Sequence, residues 1–309
     1  VQLTEPGLTA REQVERQRTL AEEQSPVSRS DVAPGAVQDD GVTHDSSNSE
    51  GYLLDNRQAE AGERFVALSE LFDPVTFGHL AAVGLGPGWA CWEVGAGSAS
   101  VPRWLAGQVG QSGRVLATDL DTSWLPAGEA GFEVLRHEVG VDPLPPAAFD
   151  LVHARLLLVH LPRRAEVLAS LVGALRPGGW LVIEDADTEL QPLVCLDEYG
   201  PQQLLANRVQ TAIRALLAAR GADLAFGRTL PRLLREAGLE DVRADGFFPV
   251  STPVRQSLQA STVRQVREGL LAAGLVSEAE IDQHLADLAT GQLDLATAPL
   301  ISAWGRKPR

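Results

Sequence analysis

The sequence predicts an α/β fold with a mostly parallel, open sheet covered by helices on both faces, and three observations predict it. Short apolar runs of strand length recur, separated by helical stretches or by loops of crossover length. One run, Ala90–Val94, ends at Gly95-Ala96-Gly97 and passes directly into a helical stretch, a junction that lets backbone approach a ligand closely. The turn Pro177-Gly178-Gly179 introduces a further apolar strand. Strands joined this way pair in parallel, and ligands bind beyond their carboxyl ends, near the topological switch point.

Each element can be justified in order. Residues 1–50 alternate polar and acidic without apolar periodicity, which predicts a disordered acidic tail. The main domain is expected over 51–309. Phe65, Leu68, Leu71 and Phe72 predict a helix over 60–71, and a second short helix over 77–83 stops at Gly84, Gly86, Pro87 and Gly88. The alternation then gives strands at 90–94, 114–119, 132–138, 149–152 and 180–184, with helices at 102–109 and 163–175. A closing pair of strands is expected at 241–249 and 299–305, and helical insertions at about 188–228, before the pair, and 251–297, within it, predict a lid over the ligand. The whole is a seven-stranded sheet.

Composition narrows the function. The chain of 309 residues is 44% hydrophobic and carries a formal net charge of −15. Residues 1–50 hold ten acids against four arginines, so most of the acidic surplus lies in the main domain. Such a balance repels phosphate backbones, and no compensating basic cluster exists, so nucleic acid is not an expected partner. No apolar run reaches bilayer length, which sets the expectation of a cytoplasmic protein without a membrane partner. Cys91 and Cys195 lack metal-ligand spacing and read as ordinary reduced cysteines. A small-molecule substrate is expected; monomer and homodimer are both open.

Chemistry should sit at the strand tips. Glu93 stands two residues before Gly95, where a pyrophosphate would make a carboxylate costly. Ser100 occupies the position where a dinucleotide fingerprint places its third glycine or alanine. Glu93-Val94-Gly95-Ala96-Gly97-Ser98 resembles the first motif of the class I, Rossmann-like methyltransferases that use S-adenosylmethionine (SAM). The resemblance implies that this loop wraps the methionyl part of SAM. Ala99 departs from the family's usual third glycine. Val115–Asp119 is similar to the second motif, which implies that Asp119 receives both ribose hydroxyls and that Leu120 packs beside adenine. His137-Glu138-Val139 resembles the third, with Glu138 and the backbone of Val139 implied at the adenine. Tyr52 and the first helix are implied to cover the site.

The fourth motif resembles Phe149–Arg155, whose end lies beside the transferred methyl in the family. His153 is therefore the candidate proton acceptor, with Arg155 and His160 as substrate contacts. Glu184, Asp185 and Asp187 crowd the end of the fifth strand. Capping and solvating that edge is their plainer role, and Asp185 is the candidate substrate contact. The expected activity is methyl transfer to an O or N atom of a small molecule. Two alternatives stand beside it: an NAD(P)-dependent oxidoreductase on a similar sheet, and a non-catalytic SAM-binding protein.

Overall fold

A computed structural model describes residues 60–126, 128, 131–144, 149–250 and 253–309. The expected tail over 1–50, and Tyr52, lie outside the described residues.

Seven strands form one sheet: β1 (Ala90–Val94), β2 (Arg114–Asp119), β3 (Glu133–Arg136), β4 (Phe149–Arg155), β5 (Leu175–Ala186), β6 (Glu240–Phe247) and β7 (Leu300–Arg306). Their order is β3-β2-β1-β4-β5-β7-β6. The first five pair in parallel, and β7 runs antiparallel between β5 and β6. Order reverses between β1 and β4, so the crevice for a ligand opens at the carboxyl ends of β1, β2 and β4. The edge strands β3 and β6 are mostly exposed, whereas β4 is buried almost throughout. Their apolar content follows that difference.

Helix α1 (Glu60–Ala82) and α2 (Ser100–Val109) cover one face, packing Leu80, Val83, Val101 and Leu105 on Cys91, Val115, Leu151 and Val182. The other face packs Trp92, Val152, Leu181 and Ile183 under α3 (Arg164–Ala174) and α5 (Leu230–Glu236), through Leu168, Leu171, Leu230 and Leu234. Alternation along each strand decides these sets. The remaining helices, α4 (Pro201–Ala219), α6 (Pro253–Ala272) and α7 (Glu278–Ala289), share a core of Val209, Ile213, Val263, Leu270 and Ile281. Helix α6 also meets α1 in a cluster of Ala67, Leu71, Phe72, Leu258 and Leu300. Leu300 pairs with Ala186, so this cluster stands at the carboxyl ends of the parallel strands. Among the described residues, no helix is long and apolar enough to cross a membrane.

Three elements differ from expectation. The two expected helices form one, Glu60–Ala82, which continues through Pro74. A proline deletes one backbone bond there, and the polar anchoring of this helix on the sheet, described below, offsets the loss. Strand β5 starts before the Pro-Gly-Gly turn rather than after it, with a register shift opposite residues 149–151. A Cβ on residue 179 would lie 2.9 Å from the Phe149 carbonyl, so only glycine allows the strands to close up. Strand β3 stops at Arg136, leaving Glu138 in the following turn.

Leu80 is fully buried where α1 meets the sheet. Replacing it by alanine is expected to cost about 2–5 kcal/mol of unfolding free energy, read by urea denaturation. A loss below about 1 kcal/mol would show that α1 does not belong to the core.

Candidate cofactor site

The glycine loop is built by backbone conformation. Gly95 and Gly97 have φ of +66° and +59°, the region that favours glycine. The Ala96 N–H donates to the Thr118 carbonyl (3.0 Å), and the Gly97 N–H to Asp119 Oδ2 (2.8 Å). The loop is thus tied to the tip of β2. Its outer side is covered: a Cβ on residue 97 would fall 2.6 Å from Phe65 Cε1, and one on residue 95 would fall 2.9 Å from Leu157 Cδ1. Phe65 meets Trp124 edge to face, with centroids 6.1 Å apart, and Ser69 Oγ donates to Ser100 Oγ (3.0 Å). Ser98 lies within hydrogen-bond reach of Ser100 (3.4 Å). Helix α1 therefore rests directly on the loop.

Ala99, the departure from the family pattern, has φ of −81° and is buried with Ala117 and Leu125. Its backbone does not call for glycine, and its methyl fills a core position beside β2.

Asp119 is nearly buried; its second oxygen accepts the Asp121 N–H (3.0 Å). Burial raises its pKa, opposed by the backbone donors of Asp121 and Gly97. Leu120 is exposed beside it. The His137 N–H donates to the Asp119 carbonyl (2.9 Å), which brings the turn carrying Glu138 to the same crevice. The Glu138 N–H donates to Asp142 Oδ2 (2.8 Å), and Val139 packs against the main core.

Beneath the loop lies a buried chain of ionisable groups. His153 Nδ1 is 2.6 Å from Glu93 Oε2, and its Nε2 is 3.6 Å from Glu184 Oε2. His153 and Glu184 are fully buried, and Glu93 nearly so. Glu184 also accepts from Thr76 Oγ1 and from Ser302 Oγ (2.8 Å), and its Oε1 lies 2.8 Å from His79 Nδ1. His79 Nε2 reaches Asp245 Oδ2 of β6 (3.0 Å). Burial disfavours a charged His153, yet the neighbouring charges and hydrogen bonds of Glu93 and Glu184 push its pKa up to about 9. The donors of His153 and His79 outweigh burial at Glu184 and hold its carboxyl well below the usual range. Burial raises the Glu93 carboxyl in turn, and His153 opposes that rise without reversing it.

The expected proton acceptor, His153, is fully buried with its Nδ1 held by Glu93, so its ring does not face the crevice. Arg155 is also redirected: its guanidinium donates to Asp73 Oδ1 and Thr76 Oγ1 of α1, both at 2.8 Å, and so anchors that helix instead of facing a substrate. Asp185 points to the opposite sheet face from Glu184, as strand alternation requires. It is fully buried and accepts the Val159 N–H (3.3 Å) at the 3-10 helix Leu158–His160; burial raises its pKa well above the usual value. It caps that turn. Asp187 is fully buried as well and binds Arg228, with Nε at 2.6 Å. The three acids therefore do not solvate the edge. His160 ends the 3-10 helix half-buried, and burial with Arg64 and Arg164 nearby lowers its pKa to about 4, leaving it neutral.

Sequence reasoning missed Thr76, His79, Ser302 and Asp245. A histidine and a threonine three residues apart share a helical face, but nothing in the sequence says which strand that face meets.

The comparisons with known proteins agree with this geometry. A family model described as a methyltransferase domain matches residues 92–183, from the Glu93 strand through β5. Methyltransferase str2 of Strobilurus tenacellus is 31% identical over 202 residues, covering 63% of this chain and 70% of that protein. Methyltransferase str3 of the same organism is 33% identical over 164 residues, 51% of this chain and 55% of its own length. Among solved structures, a Haemonchus contortus phosphoethanolamine N-methyltransferase bound to S-adenosylhomocysteine superposes with a TM-score of 0.51 at 16% identity, over 83% of this chain and 59% of that one. The chain belongs to the class I SAM-dependent methyltransferase family. Against str3 and the nematode enzyme it spans little more than half of the relative's length.

Two variants probe the loop. Gly97→Ala should lower SAM affinity at least tenfold by calorimetry, because a side chain at this φ is strained and meets Phe65. Ala99→Gly should leave affinity within about twofold while lowering stability by about 1 kcal/mol, since it removes a core methyl. A gain in affinity at Ala99→Gly would instead place that methyl against the ligand. His153 gives a pH test. Its folded pKa stands above its unfolded value, so its stabilisation is full below about pH 6.5 and disappears as pH rises through about 9. Urea unfolding should therefore show wild type weakening from pH 7 to pH 9.5, and His153→Asn weakening less. Parallel profiles would refute the charged histidine.

Proposed function

We propose that this chain transfers a methyl group from SAM to an O or N atom of a small molecule. One observation carries the reading. Two carboxylates, Glu93 beneath the glycine loop and Asp119 at the tip of β2, stand within a cradle whose backbone N–H groups could otherwise serve a phosphate. A cationic amino acid joined to a nucleoside fits that set. A pyrophosphate coenzyme would meet negative charge.

The residues fit SAM, and their roles follow from position. Gly95, Ala96, Gly97 and Ser98 would line the amino-acid end, Glu93 supplying negative charge under it. Asp119 would receive the ribose hydroxyls, and Leu120, Glu138 and Val139 would line the adenine. SAM supplies an activated methyl on a sulfonium, so the chain's own task is alignment and exclusion of water. Positioning of this kind lowers a barrier by up to roughly 7–11 kcal/mol. Phe65, Trp124 and Leu157 provide the dry walls. With His153 buried and charged, the acceptor must arrive as a ready nucleophile or lose its proton to a group outside the Glu93–Glu184 chain. Helices α4, α6 and α7 form the roof in this reading, above the clustered Leu71, Phe72 and Leu258. Both cysteines are free and buried, which suits a reducing compartment such as the cytoplasm.

Calorimetry with SAM and with S-adenosylhomocysteine tests the cofactor, and release of label from methyl-labelled SAM tests turnover. Asp119→Ala should weaken SAM binding by roughly 10–100-fold, the worth of one or two hydrogen bonds to a charged group. Tight NADH binding by a folded protein that ignores SAM would overturn the proposal.

A further inference from the structure

We infer that His153 and Glu184 are positioning residues that couple the orientation of the Glu93 carboxylate to the seating of α1 over the glycine loop. The inference rests on the cofactor reading above and extends it to residues that do not touch the ligand.

Four observations combine. Glu93 is held from one side by His153, through a 2.6 Å contact to Nδ1. His153 turns its other nitrogen toward Glu184, 3.6 Å away, an ion contact too long for a hydrogen bond, so Glu93 holds the ring directly and Glu184 acts on it through charge. Glu184 in turn is where α1 lands, through Thr76 and His79. The same helix touches the loop at its other end, where Phe65 lies over Gly97 and Ser69 bonds Ser100. From Phe65 to His79 the rise is about 21 Å, so one rod spans both the cradle and the buried ion chain.

The mechanics follow from this layout. Phe65 stands over Gly97, so the height and rotation of α1 set the room above the glycine loop. Anchoring by apolar contact alone would be as strong but less directional. Replacing buried ion pairs with hydrophobic groups is often neutral or stabilising, so stability alone does not explain this many charges. Directional bonds to Glu184 fix the rotation of α1, and the imidazole passes that constraint to Glu93. Arg155, Asp73 and Asp245 complete the charged surroundings, from β4, α1 and β6.

The test is calorimetric titration of SAM into wild type, His79→Leu, Glu93→Gln and the double variant. His79 stands on the far side of Glu184 from Glu93, yet His79→Leu is expected to weaken SAM binding about fivefold or more, the usual size of coupling between sites. The double variant should lose no more than Glu93→Gln alone, because both changes break one chain. His79→Asn, which keeps a donor near the Nδ1 position, should restore affinity to within about twofold. Hydrogen exchange should show SAM protecting residues 60–82 at least tenfold in wild type and less in His79→Leu. If His79→Leu does not fold, Ser302→Ala removes a different donor from Glu184 and should reproduce the loss in smaller measure. Additive losses, or unchanged affinity in His79→Leu or Ser302→Ala, would overturn the coupling while leaving the cofactor assignment intact. Wild-type protein that binds no SAM would overturn both.

Discussion

The carboxylate of Glu184 is removed from water, and the rest of the molecule is arranged to make that tolerable. An uncompensated buried charge costs several kcal/mol, so every hydrogen-bonding direction around it must be met. Thr76 and His79 come from α1 and Ser302 from β7, while His153 of β4 adds an ion contact at 3.6 Å. Those donors converge only when α1 lies at one height and one rotation on the sheet. Once α1 is fixed, Phe65 lies over Gly97, and Leu71 and Phe72 present an apolar surface on which α6 settles with Leu258. Helices α4 and α7 follow because they share a core with α6. The position of the upper helical layer is therefore a consequence of satisfying one buried acid.

Much of the fold was legible because its signals are local. The bounds of β1 and β2 and the glycine turn follow from apolar runs and from residues that must adopt positive φ. The closing strand pair, and the helices around 201–219 and 253–272, follow from periodicity. What escaped depends on distant partners. Proline at 74 marks a helix end in isolation, yet the helix persists because both of its halves are pinned to the sheet and loop. Glu184 and Asp185 are adjacent acids, and alternation alone sends them to opposite faces. Which face meets α1 and which meets the 3-10 helix is a matter of topology. The burial of His153 between Glu93 and Glu184 was not legible, because its two carboxylate neighbours are 60 positions before it and 31 after it, on other strands.

The charge pattern also explains how one sheet architecture distinguishes cofactor types. A strand that runs into a glycine turn and a helix presents N–H groups to any anion. Here the Gly97 N–H is already answered by Asp119, and the Glu93 carboxyl lies below the loop. Burial raises the Glu93 pKa, and the contact with His153 opposes that rise without reversing it. The pair therefore places acceptor oxygens beneath the loop where a phosphate would need donors. Ala99 fits the same picture, since its methyl packs against Ala117 and Leu125 and the turn is formed by the two flanking glycines alone.

This arrangement constrains catalysis as well as binding. A histidine that is fully buried and bonded to Glu93 is poorly placed to take a proton from a substrate. The ionisable groups of the strand tips are committed to each other: Arg155 to Asp73, Asp187 to Arg228, Asp185 to a backbone turn. In the proposed reading, acceptor chemistry then comes from the walls above the sheet. Those walls belong to α1 and to the helices packed on it, whose position Glu184 governs. A change deep in the β4–β5 strands would therefore reach the acceptor by tilting a helix, without altering any side chain that the acceptor meets.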